Sequence, residues 1–423
     1  MRRLIPSETA LVLGGGGAKG AYEAGVMQAL RSLGIAAGQV YGTSIGAVNA
    51  ALYAQGAEDE AAALWESLRL SDVVPPESMA LAEEAEGMFS RPDKLLDFIT
   101  RNAQKKGIDV RPIEDVLRRF IREEALRKSS VRFGLVATRF PSLSAVQKRL
   151  EDMKEGTLHD WLMASCACFP AFPMRNIDDQ RYIDGGFSDN VPVEMAIRNG
   201  ARHIIAVDIG RTRAHHIYDR RPNVTYIRAV CPLGGLLSFD PARSARNRQL
   251  GYNDTLRAFG RLRGTYYSFD PFDAQLLGRQ ADDFVVFLTQ YEAAMPRSER
   301  AGLFALLEED LPPQAEAVDY FLRACELCAL TLDVDPVRTY TFAQFSDALR
   351  TALPLEQAES MLSSLLGGRI GVLFAPPQPD RKVVLACLYH LLRREGGFPS
   401  LAMHTLRAFP RELLCALTLR FIL

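Results

Sequence analysis

The residues best equipped for chemistry lie in three short glycine-bearing stretches. Ser44 stands between Gly42 and Gly46 in Tyr41-Gly42-Thr43-Ser44-Ile45-Gly46-Ala47. This is the spacing of a nucleophile elbow, a strand-to-helix turn whose backbone passes too close on either side of the serine for larger residues. A serine hydroxyl is too weak an acid to attack an ester unaided, so it needs a base within hydrogen-bond reach. Asp184 is presented for that role in Tyr182-Ile183-Asp184-Gly185-Gly186, at a strand end and before two glycines that admit close approach. The third stretch, Gly14-Gly15-Gly16-Gly17-Ala18-Lys19-Gly20, can turn successive backbone N–H groups toward one point beside a helix N-terminus. A developing oxyanion would sit there, and one such donor typically lowers an acyl-transfer barrier by about 2.7–4 kcal/mol.

Histidine commonly serves as base to a serine, and the chain has six, at 159, 203, 215, 216, 390 and 404. The order Ser44, Asp184, His203 permits an α/β-hydrolase triad. His203, however, opens the apolar run His203-Ile204-Ile205-Ala206-Val207-Asp208-Ile209, whereas a triad histidine belongs in a loop at the carboxyl end of the sheet. His215 and His216 follow that run and are better placed, so they stay open as bases. The simpler account is a Ser44–Asp184 dyad in which the carboxylate takes the proton directly, which requires a perturbed aspartate environment.

The flanking elements must position these groups. Residues 8–13 read as a short buried strand entering the glycine loop, and 21–30 as a helix with apolar spacing near 3.6. A second strand ends at Gln39-Val40-Tyr41, and 47–54 is small and apolar enough for a helix packed closely on a sheet. Two strand–helix units in succession predict a parallel sheet with flanking helices. Further helices are expected at 58–70, 93–101, 112–128, 157–166 and 242–259, and strands at 131–138, 181–184, 203–209 and 223–230. Thr157 with Asp160 three residues on reads as a near capping box. Residues 71–92 read as an irregular excursion, over the surface or over the site as a lid. The 112–128 helix carries a basic face suited to solvent or to anionic lipid headgroups. Beyond about Ser268 helical periodicity takes over, with Pro312-Pro313, Pro336 and Pro376-Pro377 at connections. The expected organisation is a catalytic α/β domain over 1–268 and a helical domain over 269–423 that gates or localises it.

In this order, Gly15-Gly16-Gly17-Ala18-Lys19-Gly20, Gly42-Thr43-Ser44-Ile45-Gly46 and Asp184-Gly185-Gly186 resemble the motif blocks of the patatin-like phospholipases. A fourth block, Ala164-Ser165-Cys166-Ala167 through Phe172-Pro173, is similar to that family's segment before the aspartate. The resemblance covers about residues 8–260. It implies an α/β fold, a three-layer α/β/α patatin-like domain with a mostly parallel central sheet, here followed by a mostly α-helical C-terminal region. It implies a serine lipid acyl hydrolase of the phospholipase A or lysophospholipase type, with a Ser–Asp dyad, no histidine, no metal and no cofactor. By match, Ser44 is the nucleophile and Asp184 the base. Gly15, Gly16, Gly17, Ala18 and Lys19 form the oxyanion hole, and Gly20, Gly42, Gly46, Gly185 and Gly186 are motif glycines. The sequence departs from the pattern at Phe169-Pro170, where the family has proline one position earlier, a change that bears on the acyl pocket. The substrate expected is a phospholipid or other acyl ester met at a membrane surface. A protein activator, or a homodimer through the C-terminal region, is the expected partner.

Rival readings are fewer. Gly15-x-Gly17-x-x-Gly20 also fits a dinucleotide fingerprint, which needs an acidic residue at the end of the second strand; none occurs between Glu23 and Glu58. A P-loop would place Ser or Thr after its lysine, and Lys19 is followed by glycine. A non-lipid carboxylesterase or acyltransferase with the same dyad, and a binding scaffold without turnover, remain. A formal net charge of −1 draws the chain to no nucleic acid. No window has the roughly 18 apolar residues of a membrane span, and residues 1–6 are not expected to be a cleaved signal. Seven irregularly placed cysteines suggest reduced thiols and a cytoplasmic setting, with peripheral membrane contact. Cys325-x-x-Cys328 and the Cys387 and His390 pair lie on apolar helical runs and are expected in the core. The apolar stretch after Glu412 is expected to be a packed terminal helix.

Overall fold

Thr9–Leu13 (β1) and Gln39–Thr43 (β2) are buried at every position, as strands covered on both faces must be. The computed structural model describes residues 4–89, 108–210, 218, 221–294, 302–308, 311, 314–366, 380–394 and 409–423. They divide into two units, Met1–Ala258 and Phe259–Leu423. In the first, β1 pairs in parallel with β2 and with His203–Asp208 (β7); β2 pairs in parallel with Arg132–Phe140 (β3), and β7 with Val224–Arg228 (β8). Ser144–Arg149 (β4) and Gln180–Asp184 (β6) join β3 antiparallel, and Arg175–Ile177 (β5) joins β6. Sequence patterning missed β4 and β5. The first is half-solvated over most of its length and the second has three residues, so neither writes a clear apolar alternation.

The helices of this unit are Ala21–Ser32 (α1), Ile45–Ala54 (α2), Glu58–Ser67 (α3), Met79–Phe89 (α4), Arg111–Phe120 (α5), Glu123–Lys128 (α6), Leu158–Ser165 (α7), Val193–Arg198 (α8) and Pro241–Ala258 (α9). On one sheet face Ala10, Val12, Ile204 and Ala206 pack with Val193, Met195 and Ala196 of α8. The alternate residues Leu11, Leu13, Ile205 and Val207 are buried on the other face. α2 packs on β1, β2 and β3, and α9 on β8. The result is a mostly parallel sheet with helices on both faces.

Three local expectations change. The 71–92 stretch is not irregular throughout: α4 occupies much of it. The 112–128 helix is two helices, because Ile121 is extended (φ −109°, ψ 121°) and buried between them. Gln55 bridges the break, its amide donating to Phe120 O at 2.7 Å and its carbonyl accepting from Arg122 N–H at 3.1 Å. Thr157 occupies the N-cap of α7 without a capping bond. Its hydroxyl donates instead to Lys154 O, and Asp160 pairs with Arg175 at 2.5 Å. The helix expected at 93–101 and the connections at Pro312-Pro313 and Pro376-Pro377 lie outside the described residues.

Among the described residues, the second unit is helical apart from a two-stranded parallel pair, Ser268–Phe269 (β9) with Thr339–Tyr340 (β10). Its helices are Pro271–Leu276 (α10), Gly278–Ala294 (α11), Leu303–Glu308 (α12), Ala317–Thr331 (α13), Phe342–Ala352 (α14), Leu355–Leu366 (α15), Arg381–Arg394 (α16) and Pro410–Ile422 (α17). Tyr267, Phe269 and Tyr340 surround Phe345, with ring centroids 4.8–5.4 Å from it. Buried Glu326 on α13 accepts the N–H groups of Thr265, Tyr266 and Tyr267 at 2.6, 2.9 and 3.0 Å, tying the start of the unit to its central helix. Cys325, Cys328, Cys387 and Cys415 are free and buried in this core, and His390 is half-buried.

Candidate active site

Strand register brings Ser44 and Asp184 together. Thr43, the last residue of β2, is level with Val136 of β3, and Asp184, the last of β6, is level with Ala137. Because β4 runs along the other edge of β3, β2 and β6 meet end to end on the same edge. Ser44 then turns out of β2 with φ 55° and ψ −127° before α2 begins, a backbone conformation that non-glycine residues adopt only where surrounding structure enforces it. A Cβ on Gly42 would lie 2.2 Å from Gly46 O, and one on Gly46 would lie 2.4 Å from Leu13 O. Only glycine closes that turn. The Ser44 N–H donates to Ser165 Oγ at 2.8 Å, and Ser165 in turn donates to Val136 O at 2.6 Å.

The Ser44 hydroxyl donates to Asp184 Oδ2 at 2.6 Å, while Asp184 Oδ1 accepts the Gly186 N–H at 2.7 Å. Asp184 is 7% exposed. Burial penalises its charge and raises its pKa from 3.8 to about 6, against the two hydrogen bonds, which favour ionisation. The backbone carbonyl of Asp184 accepts from Thr138 Oγ1 at 2.8 Å, fixing the strand end. Gly185 and Gly186 form the short turn that follows.

The glycine loop follows β1 directly. The Gly15 N–H donates to Asn190 O at 3.1 Å, and the Asn190 side-chain amide donates back to Gly15 O at 3.2 Å. The Ala18 N–H donates to Leu236 O at 2.7 Å and the Lys19 N–H to Gly16 O at 3.3 Å. Of the five residues expected to supply oxyanion donors, Gly15, Ala18 and Lys19 therefore have their N–H groups engaged. Among the described residues, no acceptor is found for those of Gly16 and Gly17. Gly17 has φ +58°, which bends the chain so that Leu236 O sits against it. Lys19 is buried, with Nζ 3.5 Å from Ile209 O. Gly20 O accepts from the Asn49 side chain at 3.0 Å, so the loop end is tied to α2.

These groups face a cavity of about 330 Å³ lined by Gly15, Gly16, Gly17, Lys19, Ser44, Asp184 and Gly186 on its polar side. Ile45, Val48, Ile113, Leu117, Phe172 and Leu237 supply much of the apolar wall. Cys166 and Cys168 also line it, and burial and the Asp184 charge push both thiols up, so they stay protonated. Phe172 belongs to the wall, whereas Phe169 lies against Phe140 with centroids 6.2 Å apart.

His203 is level with Thr9, at the start of β1, while Gly42 is level with Leu13 at its end. At least four residues of strand, roughly 13 Å at about 3.3 Å each, separate it from the elbow. His159 Nε2 donates to Ile121 O in the α5–α6 connection at 3.0 Å. His215 and His216 lie outside the described residues. Ser165, Asn190 and Asn49 were not singled out as supports of the site. Their partners are 121, 175 and 29 residues away in sequence, and tertiary packing brings them together.

The family model described as "Patatin-like phospholipase" matches residues 11–197. The patatin-like phospholipase domain-containing protein ZK370.4 of Caenorhabditis elegans is 31% identical over 222 residues, covering 52% of this chain and 15% of that protein. The lysophospholipase NTE1 of Mycosarcoma maydis is 27% identical over 221 residues, covering 49% and 10%. This chain thus spans 10–15% of the length of these two relatives. Among solved structures, VipD from Legionella pneumophila aligns with a TM-score of 0.39 at 14% identity, over 99% of this chain and 90% of that one. Over residues 11–197, the chain is thus similar to the patatin-like phospholipase family.

Proposed function

We propose that the first unit is a lipid acyl hydrolase of the phospholipase A or lysophospholipase type, working through Ser44 and Asp184. The observation that carries this reading is the 2.6 Å bond from Ser44 Oγ to Asp184 Oδ2 beside a largely apolar cavity. Ser44 Oγ attacks the ester carbonyl while Asp184 takes the hydroxyl proton. The N–H groups of Gly16 and Gly17 receive the oxyanion of the tetrahedral intermediate. Its collapse breaks the ester C–O bond, and Asp184 returns the proton to the departing alcohol. A water molecule then attacks the acyl-Ser44 ester, again losing its proton to Asp184, and the fatty acid leaves as Ser44 is restored. An aspartate whose pKa is raised to about 6 suits this double duty, because it is ionised near neutrality yet holds a proton better than an ordinary carboxylate.

The family match supports a lipid ester as substrate, and the apolar wall of Ile45, Val48, Leu117 and Phe172 supports an acyl chain. No described helix is long and apolar enough to cross a membrane, so the proposed encounter is at a membrane surface. The helical second unit is proposed to gate the first or to localise it, through a protein activator or a second copy of the chain. A fluorophosphonate probe tests the nucleophile. It should label the wild-type protein at Ser44 and leave Ser44→Ala unlabelled; labelling that persists in Ser44→Ala would assign the nucleophile elsewhere.

A further inference from the structure

Glu86 projects from α4 to the loop before α9, and both line the cavity that contains Ser44. Its Oε1 accepts the N–H of Leu236 at 3.0 Å and its Oε2 accepts the N–H of Leu237 at 2.6 Å. Two successive backbone N–H groups converging on one anion form a nest, a geometry suited to phosphate as much as to carboxylate. Leu236 O also accepts the Ala18 N–H at 2.7 Å, so this nest is fastened to the glycine loop that lines the same cavity as Ser44. Lys19 lines the same cavity, and the Arg243 side chain runs against Gly234 two residues before the nest. A carboxylate in a largely apolar cavity is costly unless its oxygens are satisfied, and here a surface helix supplies one to donors it does not itself contain.

We propose that the Leu236 and Leu237 N–H groups form a phosphate subsite of the substrate cavity, filled in this structure by the Glu86 carboxylate of the same chain. The inference rests on the acyl-hydrolase reading and adds to it the place where a substrate's phosphate is held while the acyl ester reaches Ser44, and the side chain that occupies that place. Glu86 competes with that phosphate. Hydrogen bonds to a charged group are among the stronger ones, so removing the competitor should favour phosphorylated substrates about tenfold or more.

The test compares kcat/KM on a lysophospholipid with that on the monoacylglycerol of the same acyl chain. Glu86→Ala should raise the ratio of the two by about tenfold, and Glu86→Gln, which keeps the size and one acceptor, should raise it by less. A ratio unmoved in both variants, or moved downward, would overturn the subsite. Wild type that hydrolyses neither ester would instead overturn the acyl-hydrolase reading beneath it. As a check that does not depend on variant folding, glycerophosphocholine and inorganic phosphate are titrated against monoacylglycerol hydrolysis by the wild type. Competition by both assigns the site to a lipid headgroup phosphate, competition by inorganic phosphate alone assigns it to the free ion, and competition by neither contradicts it.

Discussion

Burial opposes the charge on Asp184, and the hydrogen bonds from Ser44 and Gly186 oppose the effect of burial; burial wins, and the carboxyl titrates at about 6. If Asp184 is the base, kcat/KM should rise with pH through about 6, with acid loss following a single ionisation. A profile flat across that range would place the base elsewhere. The same shift has a consequence for stability. An aspartate whose pKa rises on folding binds its proton more tightly when folded, so stability is lost as pH rises from about 4 to about 6. Asp184→Asn lacks that loss. It should melt above the wild type at about pH 8, by at most about 3 kcal/mol at about 1.4 kcal/mol per pKa unit, and near it at about pH 4, while losing at least about 10³-fold in kcat. Equal melting at both pH values would show that the carboxylate is better solvated than its burial indicates. At this scale Ser44, Asp184 and the glycine loop were legible because each sits in a short motif. Ser165 and Asn190 were not, since a serine or an asparagine acquires its meaning only from a partner more than a hundred residues away.

The elbow shows how an element is dictated by its tightest contact. Gly46, the second residue of α2, lies against the carbonyl of Leu13, and a methyl group there would stand 2.4 Å from that oxygen. Gly46→Ala should destabilise the first unit by about 3 kcal/mol, in line with overpacking of a close backbone crossing. A melting temperature equal to the wild type would mean that the turn has slack. The central strands were readable for the opposite reason to β4 and β5: β1 and β2 are buried throughout and β7 at all but its first residue, and apolar runs (10–13 in β1, 204–207 in β7) mark two of them. The division of 112–128 into α5 and α6 was not readable, because Phe120, Ile121 and Arg122 continue a helical pattern and the break is made by Gln55 from the end of α2. The α4 helix escaped for a related reason. Its acidic run Glu83-Glu84-Ala85-Glu86 looks like a solvated surface, yet Glu86 turns inward to the Leu236 and Leu237 N–H groups.

At the scale of the molecule, the chain divides into an α/β unit to Ala258 and a helical unit from Phe259, each with its own buried core. The family match ends within the first unit. If the second unit gates or localises the first, a chain ending at 258 should differ from the 423-residue chain in activity on phospholipid vesicles, in vesicle binding or in oligomeric state. Identity in all three, with the truncated chain folded by circular dichroism, would remove that role. The central claim is that Ser44, activated by Asp184, cleaves lipid acyl esters. Its most direct test is fatty-acid release from phospholipid and lysophospholipid vesicles, quantified by mass spectrometry for the wild type and for Ser44→Ala. The account predicts release by the wild type and a loss of at least about 10³-fold in Ser44→Ala. Equal release by the two proteins, or none by the folded wild type, would contradict it.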